Sequence, residues 1–269
     1  MTNSSELKHA ETQWIESPAG WGDDDDPSQI TSAAGAAGFF EDPDPSTLFR
    51  FPLPNGTTLQ LHGYKLDSTP TAHSTGVTLW QAAPLLGRYL LQLPEEKQQR
   101  IRNVLELGAG LGLPGLVAHH ALGAERVVLS DGDTNVLEQL RRNVAANRNE
   151  DTTQQGAVEC RQLLWGRRQT DSTAGSAGPQ QSSRPAAHSF DTILGADVIY
   201  GKEAVELLFE TIAYYLEPSH GHCWIGWVTR WNDIAPETVQ AAAERHGLEW
   251  QATTMEGVYC ARFPNSMDP

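Results

Sequence analysis

The stretch VLELGAGLGLPG, residues 104–115, constrains the fold of this 269-residue chain more than any other segment. It joins a short strand-like run to a turn with four glycines, and a proline stands near the expected start of a helix. A strand that ends in such a turn, ahead of a helix N-terminus, lets backbone approach a ligand closely and offers it free N–H groups. The stretch therefore predicts a strand–loop–helix unit that binds a nucleotide-like cofactor.

The four glycines satisfy two cofactor patterns at once. From Gly110 they read G-x-G-x-x-G, the dinucleotide fingerprint, and from Glu106 they read E-x-G-x-G-x-G, which is typical of S-adenosylmethionine methyltransferases. Glu106 favours the second pattern, because a carboxylate at the mouth of the strand repels a diphosphate and attracts an ammonium and a sulfonium. An NAD-linked oxidoreductase stays open as the alternative on these residues alone.

Strands and helices alternate from this stretch onward. RVVLSD, AVECRQLLW, FDTILGAD and CWIGWV read as strands, and helical segments follow three of them. This alternation predicts an α/β fold with a Rossmann-like, doubly wound, mostly parallel sheet. The last two runs, LEWQATT and GVYCARF, are separated by two residues and must pair antiparallel. They close the sheet and bring it to seven strands.

Two elements are predicted ahead of the sheet. Asn55-Gly56 lies between two short apolar runs and predicts an N-terminal β-hairpin. A helix is then expected from apolar residues at helical spacing, ending before Pro94. Those apolar residues are Leu79, Ala82, Ala83, Leu86 and Leu90.

Charge and composition divide the chain. Residues 1–46 hold ten acids and one lysine, a net charge of −9 out of −15 for the chain, and they lack hydrophobic periodicity. We expect a disordered acidic tail there, one domain over 47–263, a flexible inserted loop over 166–188 that is rich in Ser, Gly, Pro and Gln, and a short tail over 264–269.

Charge and composition also exclude several classes of partner and of site. The negative net charge repels phosphate backbones, so no nucleic-acid partner is expected, and no apolar run reaches the roughly 18 residues that span a bilayer. Three widely spaced cysteines do not form a disulfide framework. His220, His222 and Cys223 lack a fourth ligand at zinc spacing, so no metal is expected. We expect a monomer located in the cytoplasm, with the nucleus as the alternative.

The candidate site residues follow the ends of predicted strands. Asp131 ends the second strand, Trp165 follows the third, and Asp197 and Tyr200 follow the fourth. Ligands of open α/β sheets bind outside the carboxyl ends of the strands, where an acid such as Asp131 accepts from ribose hydroxyls. Asp197 is suited to recruit an ammonium, and the Tyr200 ring to pack on its alkyl stem.

GVTLW, VLELGAGLGLPG, VVLSDGD, LLWG and ADVIY, in this order, resemble the seven-β-strand protein-lysine methyltransferases with a D-x-x-[Y/F] signature. That group includes enzymes acting on chaperones, elongation factors and calmodulin. The resemblance covers roughly residues 48–263. It implies that S-adenosylmethionine is the cofactor and that a protein bearing a target lysine is the partner.

The resemblance also implies roles for individual residues. Asp197 and Tyr200 would be catalytic at the target lysine, and Asp131 would bind the ribose. The remaining cofactor contacts would come from Trp80, Glu106, Gly108, Gly110, Gly112, Trp165 at the adenine, and Ala196. The chain departs from many methyltransferases in having Leu163 and Leu164, rather than an acid, before Trp165. Methylation of histidine, arginine or a small molecule stays open as an alternative.

Overall fold

The computed structural model describes residues 47–64, 75–148, 158–166, 185–228 and 234–264. The predicted acidic tail 1–46, most of the predicted inserted loop and the last five residues lie outside the described residues. In the described part, no helix is long and apolar enough to cross a membrane.

A seven-stranded sheet forms the centre of the molecule, with the strand order β5-β4-β3-β6-β7-β9-β8. Strands β3 to β7 are parallel to one another, whereas β9 is antiparallel to both β7 and β8. The predicted fold class is therefore confirmed. The sheet strands are β3 (Asn103–Leu107), β4 (Arg126–Asp131), β5 (Val158–Gln162), β6 (Thr192–Ala196), β7 (His222–Gly226), β8 (Glu249–Ala252) and β9 (Val258–Arg262).

Helices cover both faces of the sheet, because its central strands are apolar on both sides. One core cluster joins the sheet to α1, α3 and α4, and a second joins it to α5 and α6. The helices are α1 (Ala82–Gln92), α2 (Glu95–Gln98), α3 (Leu113–Leu122), α4 (Thr134–Ala146), α5 (Lys202–Tyr215) and α6 (Pro236–Arg245), with a 3₁₀ turn at Thr75–Val77.

The predicted hairpin is present as a separate two-stranded sheet of β1 (Thr47–Pro52) and β2 (Thr58–Gly63). Its loop turns at Gly56, whose φ of +86° suits a residue without a Cβ. Phe49, Phe51, Leu59 and Leu61 are buried in the core that also holds α1, α3 and α4. The hairpin thus covers the helices on one face of the main sheet.

The helix expected to include Leu79 begins three residues later, at Ala82. The Leu79 N–H donates instead to the carbonyl of Tyr64, and Tyr64 forms a parallel bridge with Thr78. This extended pairing with a residue 15 positions earlier keeps the segment out of the helix. Leu79 and Trp80 are thereby placed at the carboxyl end of the sheet, beside the glycine loop.

Candidate active site

A cavity of about 820 Å³ opens at the carboxyl ends of β3, β4, β6 and β7. Its volume lies within the range of roughly 300–1,000 Å³ that small-molecule sites occupy. Nine of the ten site residues expected from the sequence line it: Trp80, Gly108, Gly110, Gly112, Asp131, Trp165, Ala196, Asp197 and Tyr200. The structure therefore brings together residues that are up to 120 positions apart (80 to 200).

The glycine loop adopts backbone conformations that only glycine enters easily. Gly108, Gly110 and Gly112 have φ values of +60°, +53° and +85°. A Cβ on Gly108 would lie 2.9 Å from Val198 Cγ1 and 3.4 Å from Trp165, and one on Gly110 would lie 2.9 Å from the carbonyl oxygen of Gly76. Glycine is thus required both for the turn and for the close approach of the surrounding walls.

Asp131 stands at the end of β4 and fixes the loop from the side. One carboxylate oxygen accepts a hydrogen bond of 3.2 Å from the Gly110 N–H, and the other accepts one of 3.0 Å from the Asp133 N–H. Burial raises the pKa of Asp131 above its ordinary value, although these backbone hydrogen bonds oppose the shift. Asp131 therefore supplies a preoriented acceptor beside the glycine loop.

Glu106 does not reach the cavity. It is 1% exposed, and its carboxylate lies beneath the loop, where Oε2 accepts a hydrogen bond of 2.8 Å from the Gly115 N–H in α3. Alternate residues of a strand face opposite sides of a sheet, and Glu106 faces α3. Burial raises its pKa to about 8, so the group is largely neutral at pH 7. The expected attraction between its charge and an ammonium or sulfonium does not hold for this side chain.

Asp197 and Tyr200 follow β6 on the cavity wall. Asp197 has a left-handed backbone conformation, with φ +61°, and its N–H donates to the carbonyl of Gly226 at the end of β7. Such a conformation is costly for most side chains, though Asp and Asn tolerate it best. Tyr200 is 69% exposed at the mouth. The pair thus places a carboxylate in the wall and an aromatic ring at the entrance.

The aromatic ring of Trp165 lies between the glycine loop and the mouth. Its centroid is 6.2 Å from that of Tyr200, and its edge is close to Gly108. Leu164 lies close to Gly132, on the Asp131 side of the cavity, and is 44% exposed. Trp80 also lines the cavity, and its indole N–H donates to the carbonyl of Thr75.

Several lining residues were not expected from the sequence. Trp227 and Val228 follow β7, whose carboxyl end reaches the same edge as those of the neighbouring parallel strands. The parallel arrangement of the strands would have been enough to predict that Trp227 and Val228 lie at the cavity. Gly76 could not be found in this way, because it lies outside the main sheet and reaches the loop only through the pairing of Tyr64 with Thr78.

No group of three or more His, Cys, Asp or Glu side chains within the described ranges is placed to hold a metal ion. His222 packs flat on Trp224, with ring centroids 5.4 Å apart, and Cys223 is buried in the core. The arrangement is that of structural side chains.

A doubly wound seven-stranded sheet, with a glycine loop after its central strand and acids at neighbouring strand ends, defines the methyltransferase class of Rossmann-like folds. The chain belongs to the lysine methyltransferase family, whose model matches residues 64–233.

Similarity to individual proteins agrees with this membership. A protein N-terminal and lysine N-methyltransferase, efm7 of Neurospora crassa, is 30% identical over 210 residues, which are 72% of this chain and 68% of that protein. The protein-lysine N-methyltransferase EFM3 of Chaetomium thermophilum is 29% identical over 65% of this chain and 48% of its own length. Protein N-lysine methyltransferase METTL21A of Xenopus tropicalis is 35% identical over 51% and 53%. The match thus spans from about half to two thirds of each relative.

Proposed function

We propose that this protein transfers a methyl group from S-adenosylmethionine to the side-chain amine of a lysine in a protein substrate. The observation that carries the proposal is the placement of Asp197 and Tyr200 on the wall and mouth of the cavity that the glycine loop closes from below. Family membership supports the same reaction class. The relatives are named as lysine N-methyltransferases of proteins, and these names support the proposal that the substrate is a protein.

The residues that line the cavity are suited to bind S-adenosylmethionine. The positive-φ glycines leave room that a Cβ would fill, Asp131 provides an acceptor suited to ribose hydroxyls, and the Trp165 ring offers stacking area. When bound, S-adenosylmethionine supplies a methyl group on a positively charged sulfur. Because Glu106 faces away, the preference for this cofactor over NAD depends on the family match and on the acid–aromatic pair.

Asp197 is best suited to anchor the amine. A lysine has an ordinary pKa near 10.4, so its neutral, nucleophilic form costs about 4.6 kcal/mol at pH 7. A neighbouring carboxylate raises that pKa further, whereas desolvation lowers it. Asp197 therefore captures and orients the amine, and the enclosed walls of the cavity favour its deprotonation. The Tyr200 ring, at the mouth, packs against the alkyl stem of the incoming lysine. Most of the acceleration then comes from positioning.

The direct test compares wild type with Asp197→Asn. Asparagine keeps the shape and tolerates the left-handed backbone, so it isolates the charge. Each protein is incubated with radiolabelled S-adenosylmethionine and an extract of its own cells, and calorimetry with S-adenosylmethionine and with NAD measures cofactor binding. We expect labelled protein with wild type only, with similar S-adenosylmethionine affinities in both and no NAD binding.

The outcomes separate the alternatives. Mass spectrometry that places the methyl group on histidine, arginine or a small molecule would contradict the lysine assignment. Binding of NAD in place of S-adenosylmethionine would contradict the reaction class. Equal loss of cofactor binding and turnover in Asp197→Asn would contradict the anchoring role. We also propose that residues 47–263 act as a monomeric domain, to be tested by sedimentation.

A further inference from the structure

Two asparagines, Asn143 in α4 and Asn147 at the C-cap of that helix, face the outer edge of β2. Asn147 accepts a hydrogen bond of 2.8 Å from the Gln60 N–H and donates one of 2.7 Å to the Gln60 carbonyl. Asn143 does the same at His62, with distances of 2.9 and 3.1 Å. Each primary amide therefore pairs with one strand residue as a backbone amide of a neighbouring strand would.

The spacing of the two elements makes this pairing work. Residues four apart on a helix are about 6 Å apart along its axis, and residues two apart on a strand are separated by about 6.7 Å. Asn143 thus matches His62 and Asn147 matches Gln60, and the N–H and C=O groups of these two strand residues point to the same edge. Both asparagines are buried, Asn143 fully. Gln139 Nε2 also donates to the His62 carbonyl and to Asn143 Oδ1.

Asn143 also contacts the glycine loop, which Asn147 does not. Its Nδ2 also donates a hydrogen bond of 3.2 Å to the carbonyl of Leu111, which lies between Gly110 and Gly112 in the glycine loop. The Leu111 side chain in turn packs over Gly63 at the end of β2, where a Cβ would lie 2.4 Å from it. One buried amide therefore binds both the hairpin and the loop that lines the cavity.

From these contacts we infer that Asn143 is a positioning residue for the cofactor loop, and that Asn147, whose Nδ2 also donates to the Asn143 carbonyl, docks the hairpin without touching the loop. The inference rests on the proposed function, because it assigns to the loop a role in binding S-adenosylmethionine. Through Asn143 the position of β2, which is outside the cavity lining, sets the position of Leu111 and hence of its neighbouring glycines.

The test uses Asn143→Ala with Asn147→Ala as the matched control in the full chain. Both variants lose a pair of hydrogen bonds to β2, so both should lower the urea midpoint of unfolding. Only Asn143→Ala should weaken the Kd for S-adenosylmethionine, by about tenfold, the effect of one buried hydrogen bond that leaves its partner unsatisfied. Asn147→Ala should leave the Kd within about twofold of wild type, because Asn147 makes no hydrogen bond to the glycine loop.

A second measurement needs no cofactor. Hydrogen exchange of the Gly112 amide, which donates to the Ala109 carbonyl within the loop, should accelerate in Asn143→Ala and not in Asn147→Ala. If Asn143→Ala does not fold, hydrogen exchange of the wild-type protein tests the inference instead. Added S-adenosylmethionine should slow exchange at the β2 amides, since coupling between two sites is reciprocal. The inference would be overturned by equal Kd values for the two variants or by unchanged hydrogen exchange of the loop in Asn143→Ala. It would also be overturned if S-adenosylmethionine did not change the exchange rates of the β2 amides. Failure of wild type to bind S-adenosylmethionine would instead overturn the proposed function, and the loop exchange of the two variants would still decide the role of Asn143.

Discussion

Replacing Glu106 with glutamine tests the claim that this buried carboxyl carries a proton. The glutamine carbonyl can still accept from the Gly115 N–H, and its amide group takes the place of Oε1, which has no hydrogen-bond partner among the described residues. Glu106→Gln is therefore a neutral copy of the protonated acid. Burial raises the pKa of Glu106 from the ordinary 4.5 to about 8.

The direction and the size of the effect of pH on stability follow from how many protons Glu106 binds in the folded and in the unfolded state. Between these two pKa values the folded protein keeps a proton that the unfolded chain has lost, so the free energy of unfolding of wild type falls as pH rises. The slope approaches about 1.4 kcal/mol per pH unit, which gives about 2.5 kcal/mol between pH 5 and pH 7. For a domain of this size that is about 5–10 °C in Tm. Glutamine has no such dependence.

The assay is urea and thermal unfolding of wild type and Glu106→Gln at pH 5, 6 and 7. The free energy of unfolding of Glu106→Gln minus that of wild type should rise by about 2.5 kcal/mol from pH 5 to pH 7. The titration of all other groups cancels in this difference. Glu138→Gln is the control for the loss of a carboxylate, since Glu138 is exposed and pairs with Arg142 across one helical turn. A difference that stays flat for Glu106→Gln would refute a raised pKa.

Substitutions at Gly108, Asp197 and Tyr200 probe the site. Gly108→Ala should weaken S-adenosylmethionine binding more than tenfold, because the added Cβ meets Val198 as well as a strained backbone, whereas Gly123→Ala, with φ +73° and open space around it, should cost only about 1 kcal/mol of stability in urea unfolding and leave the calorimetric Kd unchanged. Asp197→Ala should be less stable than Asp197→Asn by about 1 kcal/mol in thermal unfolding, because alanine tolerates a left-handed φ less well, and equal stabilities would argue against strain at this position. Tyr200→Phe should keep most of the methylation rate and Tyr200→Ala should raise KM for the protein substrate; a rate lost in Tyr200→Phe would point to the hydroxyl instead of the ring.

The fold, and the placement of most of the candidate site residues at one cavity, could be predicted because their signals are short in sequence. The glycine loop occupies one stretch, Asp131 is the last residue of β4, and Asp197 directly follows β6. Parallel strands bring their carboxyl ends to one edge, so the residues meet without any knowledge of side-chain packing.

What could not be predicted depends on contacts between distant segments. The direction of Glu106 is decided by α3 covering its face of β3. The start of α1 is decided by the bridge that holds Leu79 near Tyr64. The bonds from Asn143 to His62 join residues 81 positions apart, and a polar residue at a buried helix position gives no sign in sequence of which backbone it satisfies.

The paired asparagines of α4 also limit how the chain can vary in length. One residue inserted between Asn143 and Asn147 would rotate one amide about 100° around the helix, away from β2, and uncover a strand edge that could then recruit a second polypeptide. An alignment of related chains should therefore show gaps between β5 and β6, where this chain carries its long Ser-, Gly- and Pro-rich connection, and none within the last two turns of α4.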